Sequence, residues 1–146
     1  MDMMTSLQIS FSGLQAQRTR MNVIASNLAN AQATRTPEGG PYKRQYAVFA
    51  SQPRRAPFEE LLDHKMHHGT SEVYVHEIAR DPKGTRMEYE PSHPDANAEG
   101  YVTYPNINVL QEMVDLMSAS RSYEANITAI NAAKDMALRA LQIGRV

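Results

Sequence analysis

The positions of proline divide this chain into three segments and limit where long helices can form. All 8 prolines lie between Pro37 and Pro105. Because proline breaks helices, residues 35–105 favour strands and turns, whereas residues 1–34 and 106–146 can each form one uninterrupted helix. We therefore predict an α+β fold, with long N- and C-terminal helices that form a coiled-coil-like pair and a small middle region rich in β-hairpins.

The first segment carries apolar residues at steps of three and four, which is the spacing of one helix face. Thr5 or Ser6 is placed to cap the start of this helix, and we expect it to end near Ala31–Thr34, before Pro37. The apolar series resembles a heptad seam, is widened by Ile24, and consists of Leu7, Phe11, Leu14, Met21, Ala25 and Leu28.

The last segment predicts a longer helix. Asn108 followed by Gln111 resembles a capping box, and Gly144 is a stop signal. The apolar series is Val109, Met113, Leu116, Ser120, Tyr123, Ile127, Ile130, Ala133, Ala137 and Leu141. A pair of helices has a thin core. Two interpretations stay open: the helices form an ordinary small core with the middle region, or they also pack against copies of themselves or relatives.

The middle segment predicts short strands. Residues 42–50 favour a strand. Residues 73–78 and 86–89 flank the sequence Asp81-Pro82-Lys83-Gly84, which suits a type I turn, so we predict a hairpin there. Residues 91–100 read as an irregular connector.

The composition excludes several function classes. With 15 basic and 16 acidic residues the net charge is −1, so the basic surplus of a nucleic-acid-binding protein is missing. The chain has no Cys, no apolar run of membrane-spanning length and no recognisable secretory signal or catalytic motif. We expect no enzyme activity and no cofactor. One alternative stays open, a metal-binding module built on His64, His67 and His68, which would share one face of a helix.

Both ends of the chain also carry longer motifs. Residues 15–31 resemble the N-terminal motif of bacterial flagellar rod and hook proteins, and residues 112–126 resemble the matching C-terminal motif. Residues 38–42, 93–106 and 131–145 resemble the proximal rod proteins among them. The short middle also favours a proximal rod protein, because the hook and distal rod proteins carry larger middles.

The resemblance implies a structural subunit of the proximal rod, the drive shaft that transmits torque from motor to hook across the periplasm. Residues 1–34 and 106–146 would be the helices of its axial core domain, around the β-rich region 35–105. The expected partners are copies of itself, other rod proteins and, during secretion, the flagellar type III export apparatus, which needs no cleaved signal. No nucleic acid, small-molecule substrate or membrane insertion is expected. A secreted helical adaptor of another type III system is the remaining alternative.

The resemblance and the apolar spacing together give a candidate assembly interface. Its residues are Leu7, Phe11, Leu14, Met21, Ile24, Asn27, Leu28, Asn30, Met113, Leu116, Tyr123, Asn126, Ile127, Ile130 and Leu141.

Overall fold

The structure, a computed structural model, describes residues 3–53, 71–82 and 84–143. Within these ranges the elements are, in chain order, α1 (Met3–Ala29), β1 (Gln45–Pro53), β2 (Ser71–Arg80), β3 (Thr85–Tyr89), β4 (Tyr101–Pro105) and α2 (Val109–Ile143). The predicted α+β class with long helices near both ends is confirmed. The predicted division at residues 34 and 105 stays a prediction.

Helix α1 begins earlier than expected. It starts at Met3, so Thr5 and Ser6 lie inside the helix and the predicted cap is wrong. Methionine is a good helix former, so the helix extends back past Thr5, whose side chain is buried. The helix ends at Ala29, and a short turn follows in which Asn30 Nδ2 donates to the Ser26 carbonyl at 2.9 Å.

Helix α2 is capped as predicted. Asn108 Oδ1 accepts a hydrogen bond from the Gln111 N–H at 3.2 Å, and the Asn108 carbonyl accepts from the Glu112 N–H at 3.0 Å. The first contact satisfies an N–H group that a helix start leaves without an intrahelical partner, and the second is the first bond of the helix itself. The helix then runs for 35 residues without a proline. The predicted stop at Gly144 lies outside the described residues.

The predicted hairpin is wrong, because its two strands lie in different sheets. β2 pairs with β1, whereas β3 pairs antiparallel with β4 in a register that runs from Thr85↔Pro105 to Tyr89↔Tyr101. The residues on either side of this turn bond to different segments. The Asp81 N–H donates to the Arg44 carbonyl, whereas the Gly84 carbonyl accepts from the Asn106 N–H. β4, at the end of the connector, was not predicted as a strand.

The described residues form two compact units. The first contains α1 up to Thr19 and α2 from Ala119, with the end of β1 and the start of β2. Its buried side chains are small, and include Ala16, Ala119 and Ala133. A Cβ placed on Gly13 would come within 3.1 Å of Asn126 Nδ2, so in this unit the two helices approach closely.

The second unit contains the rest of α1, the start of β1, the end of β2, strands β3 and β4, and the first turns of α2. Its buried apolar residues are Val23, Ile24, Ala31, Val102 and Ile107. The coiled-coil pairing of α1 with α2 stays a prediction. As far as the structure describes them, neither helix has the length and hydropathy needed to cross a membrane.

Candidate assembly interface

Helix α1 has one buried face, which includes the predicted interface residue Ile24, and an opposite face of more exposed apolar residues. The buried side chains of the helix are Thr5, Ala16, Val23, Ile24 and Asn27. At about 100° per residue, the predicted seam lies roughly 100–160° around the helix from Asn27. Phe11 of that seam is 63% exposed, and the remaining large seam residues are half-buried, namely Leu7, Leu14, Met21 and Leu28. These four side chains keep part of their apolar surface open to a partner.

Helix α2 has a buried seam with steps of four and three, but the seam begins at Glu112 and not at the predicted Val109. The buried and half-buried side chains on this face are Glu112, Leu116, Ala119, Tyr123, Asn126, Ile130, Ala133 and Ala137. The predicted seam began at Val109, which is exposed, and it joins the observed face at Leu116. Of the predicted interface residues on α2, Met113, Ile127 and Leu141 are exposed.

The first turns of α2 carry an exposed apolar surface, which we call the α2 stripe. It is centred roughly 130° around the helix from Glu112, and its members are Val109, Leu110, Met113, Val114 and Met117. The predicted apolar series contains Val109 and Met113 but not the other three residues. Their spacing was a usable signal, because 109, 113 and 117 are four residues apart, as are 110 and 114. Exposed apolar patches are typical of interaction surfaces.

Asn27 is the centre of a buried polar network in the second unit. Its side chain has no exposed surface. Nδ2 donates to the Gln45 carbonyl at 2.7 Å and to Glu112 Oε2 at 3.0 Å, while Oδ1 accepts from the Gln45 N–H at 2.9 Å and from the Tyr42 hydroxyl at 3.1 Å. Both donors and both acceptor positions of the amide are therefore used. The predicted interface residue Asn27 makes these contacts within its own chain.

Glu112 ties the same network to α2. It is 1% exposed, and its Oε1 accepts from Arg44 Nε at 2.6 Å. A charge-assisted bond of this length offsets the cost of burying the carboxylate. In the same unit Arg20 lies 3.7 Å from Asp115 as a weaker, partly exposed ion pair. Neither Arg44 nor Glu112 was predicted to have this role. The usable signal for Glu112 was a charged residue four positions before Leu116 on a seam.

The connector is fastened to the residues that follow α1. Asp95 accepts a hydrogen bond from Thr34 Oγ1 at 2.7 Å and forms an ion pair with Arg35 at 2.6 Å. Its N–H donates to His93 Nδ1 at 3.1 Å. Gly100 closes the connector with a φ of 81°, a conformation that favours glycine.

Three groups of the second unit have shifted pKa values. The Glu90 carboxylate accepts the Tyr104 hydroxyl hydrogen at 2.9 Å, and this part-buried bond raises the pKa of Tyr104 above its ordinary value. The hydrogen bond to Arg80 lowers the pKa of Glu38, and the same bond raises the pKa of Arg80. The exposed contact between Glu38 and Arg80 is typical of a solvated surface.

The candidate metal ligands His64, His67 and His68 lie outside the described residues. Among the residues that the structure does describe, no group of three His, Cys, Asp or Glu side chains is placed to hold a metal ion. His76 is exposed on β2, where its ring meets the edge of Tyr74.

Comparison with known proteins points to one family. Residues 7–35 match the family described as "Flagella basal body rod protein", and residues 98–143 match "Flagellar basal body rod FlgEFG protein C-terminal". The chain is similar to the flagellar basal-body rod protein FlgC of Bacillus subtilis, at 45% identity over 147 residues that cover 96% of this chain and 97% of that protein.

Two further relatives carry the same name. The FlgC protein of Borreliella burgdorferi is 42% identical over 152 residues and covers 98% of each chain. That of Salmonella typhimurium is 41% identical over 145 residues, which cover 99% of this chain and 100% of the relative. The similarity therefore extends over the middle region as well as both helices.

Proposed function

We propose a function from one established premise: the chain belongs to the FlgC family of flagellar basal-body rod proteins. It is a structural subunit of the flagellar rod. We propose further that it occupies the proximal rod, where it assembles with copies of itself and with other rod proteins into the helical shaft that transmits torque from motor to hook.

The observation that supports this proposal is the α2 stripe, together with the outward apolar residues of α1. Leu110 is 72% exposed and Phe11 is 63% exposed, although a chain that acts alone gains stability by burying such side chains. Contacts between different faces of identical or related subunits build open helical filaments. Apolar surface on two long helices gives each subunit several such contacts, and a torque-bearing shaft needs many of them.

The proposal extends to export and location. A rod that crosses the periplasm requires its subunits to pass the cytoplasmic membrane, and we propose that they do so through the flagellar type III apparatus without a cleaved signal. No catalytic step, cofactor, nucleic acid or small-molecule substrate is part of the function. Membership in a rod family favours this function over that of an adaptor of another type III system.

The α2 stripe can be tested by placing one charge inside it and one beside it. Leu110→Asp puts a carboxylate on the stripe, and the control Gln111→Asp puts one on the adjacent, exposed, polar position. Both positions lie in the first turn of α2, where an acidic residue favours the helix by about 0.3–1 kcal/mol. Neither substitution should therefore unfold the chain.

The assay is complementation of a strain that lacks the gene. We expect L110D to abolish swimming in soft agar and to be absent from purified basal bodies, whereas Q111D swims and is incorporated. Immunoblots should give equal cellular amounts of the two variants. Normal swimming of L110D would contradict an assembly role for the stripe.

A further inference from the structure

We propose that the contacts among Asn27, Glu112 and Arg44 fix the direction in which the α2 stripe faces. The assembly role of the stripe rests on the function proposed above, but the positioning is a property of the isolated chain. Asn27 lies on α1, Arg44 lies just before β1, and Glu112 lies within the stripe's own two turns of α2. The three residues therefore act as positioning residues for the stripe.

Glu112 is the only fully buried side chain among residues 109–117, while Asp115 and Leu116 are half-buried. The most deeply buried side chain of these turns is thus a carboxylate. A large apolar side chain at this place would attract its neighbours without directional preference, because hydrophobic contact is non-directional. A carboxylate that accepts hydrogen bonds is subject to geometric requirements at each oxygen.

The two oxygens of Glu112 are held from two different elements. Oε1 accepts from Arg44 Nε at 2.6 Å, and Oε2 accepts from Asn27 Nδ2 at 3.0 Å. Rotation of α2 about its axis would break both bonds at once. Because the stripe lies on the far side of the helix from Glu112, fixing the carboxylate also fixes the azimuth of the stripe.

Asn27 is itself held in one orientation. Its other bonds go to both backbone groups of Gln45 and to the Tyr42 hydroxyl. A flip of the amide would place its N–H donors against the donors of Gln45 and Tyr42, and its oxygen against the acceptors of Gln45 and Glu112. The amide that receives Glu112 is therefore preorganised by the start of β1 and the segment before it.

Positioning can be separated from stability by removing both charges together. Glu112→Leu alone leaves the Arg44 guanidinium without its carboxylate partner. Arg44→Met together with Glu112→Leu instead replaces a buried ion pair by apolar side chains, and such an exchange often leaves stability unchanged or raises it. R44M/E112L also leaves one N–H of the buried Asn27 amide without its acceptor, so we expect it to unfold cooperatively in urea with a loss of stability of no more than about 1–3 kcal/mol. Glu112→Gln, which keeps the shape of the side chain, serves as a second variant in case the double variant fails to fold.

The direction of the stripe can be read by thiol labelling, because the chain contains no Cys. Met117→Cys places a thiol on the exposed stripe, and Leu116→Cys places one on the half-buried side. In the parent chain we expect maleimide to label Met117→Cys faster than Leu116→Cys by about tenfold, and we expect this ratio to approach unity in R44M/E112L, since bonds to a charged group are lost. In E112Q, which loses the charge but keeps the shape, the ratio should fall partway.

The outcomes distinguish this inference from the proposed function. A labelling ratio that stays high in folded R44M/E112L or in E112Q overturns the positioning role. If the ratio collapses and swimming is lost while the variant still unfolds cooperatively in urea, the contacts act through position and not through loss of the fold. If the ratio collapses and swimming persists, the positioning role stands, and the assembly role of the α2 stripe fails instead.

Discussion

Replacing Asn27 with aspartate should make the stability of this chain depend strongly on pH. The change is nearly isosteric, but it turns the amide nitrogen, which donates to Gln45 and Glu112, into an oxygen that cannot donate when ionised. The new oxygen then faces a carbonyl at 2.7 Å and a carboxylate at 3.0 Å. Arg44 already bonds the other oxygen of Glu112, so the introduced carboxyl has no cationic partner of its own.

Two magnitudes decide how the variant responds. Two carboxylate charges 3.0 Å apart repel by about 5–6 kcal/mol at an effective dielectric constant of about 20. Keeping a proton on a carboxyl with an ordinary pKa of about 3.9 costs only about 4 kcal/mol at pH 7. Keeping the introduced carboxyl protonated therefore costs less than leaving both carboxylates charged, so its pKa is raised in the folded state.

The sign of the pH dependence follows from that raised pKa. The folded variant holds a proton that the unfolded chain releases above about pH 4, so its stability falls as the pH rises from there. Between pH 5 and pH 7 the variant Asn27→Asp should lose about 3 kcal/mol relative to the parent, at about 1.4 kcal/mol per unit. Domains of this size have a total stability of about 5–15 kcal/mol, so the effect is large.

Urea unfolding followed by tyrosine fluorescence measures this effect, since the chain has 7 Tyr and no Trp and Tyr42 bonds the altered side chain. The control is Asn22→Asp, which places the same charge at an exposed position of the same helix. We expect a steep pH dependence for N27D and a flat one for N22D. Equal slopes would refute the account of Asn27 as a fully bonded buried amide.

Three other substitutions test further contacts. Gly13→Ala should leave the urea midpoint unchanged or raise it, because the Asn126 amide at 3.1 Å is the end of a flexible side chain, whereas Gly13→Leu should lower stability by about 1–3 kcal/mol. Asp95→Asn should cost less than about 1 kcal/mol in the same measurement, since its arginine partner is largely exposed. Glu90→Gln should lower the pKa of Tyr104 in an absorbance titration. The raised pKa of Tyr104 stabilises the fold below about pH 10, and this contribution is lost as the pH rises through the folded-state pKa.

Local sequence signals predicted the helices well, because their physical causes are local. The cap at Asn108 depends on contacts within three and four residues, and the structure has them. The predicted seam on α2 shares Leu116, Tyr123 and Ile130 with the observed face, but the predicted Ile127 and Leu141 are exposed. The prediction was also wrong at the first turns, because an apolar pattern cannot identify a buried charged residue. Glu112 is buried there because Asn27 and Arg44, distant in sequence, satisfy its carboxylate.

The sheets show the opposite case, because strand pairing is decided by distant segments. The residues on both sides of Asp81-Pro82-Lys83-Gly84 have the strand-forming character of a hairpin, and the turn itself suits one. Yet β2 pairs with β1, and β3 pairs with β4. The partner of β3, Tyr101–Pro105, follows a connector whose glycine and prolines suggested irregular structure.

The first turns of α2 leave large apolar side chains exposed, among them Leu110 and Met117. The second unit fills its centre with Asn27 and Glu112 besides Val102 and Pro105. Fully covering a large apolar side chain contributes about 1.5–3 kcal/mol. Covering the five residues of the α2 stripe, which are already partly buried, would then contribute several kcal/mol per subunit, comparable with the lower end of a domain's folding stability. If neighbouring subunits cover the stripe, as proposed above, the subunit reaches its full stability only in the assembled rod.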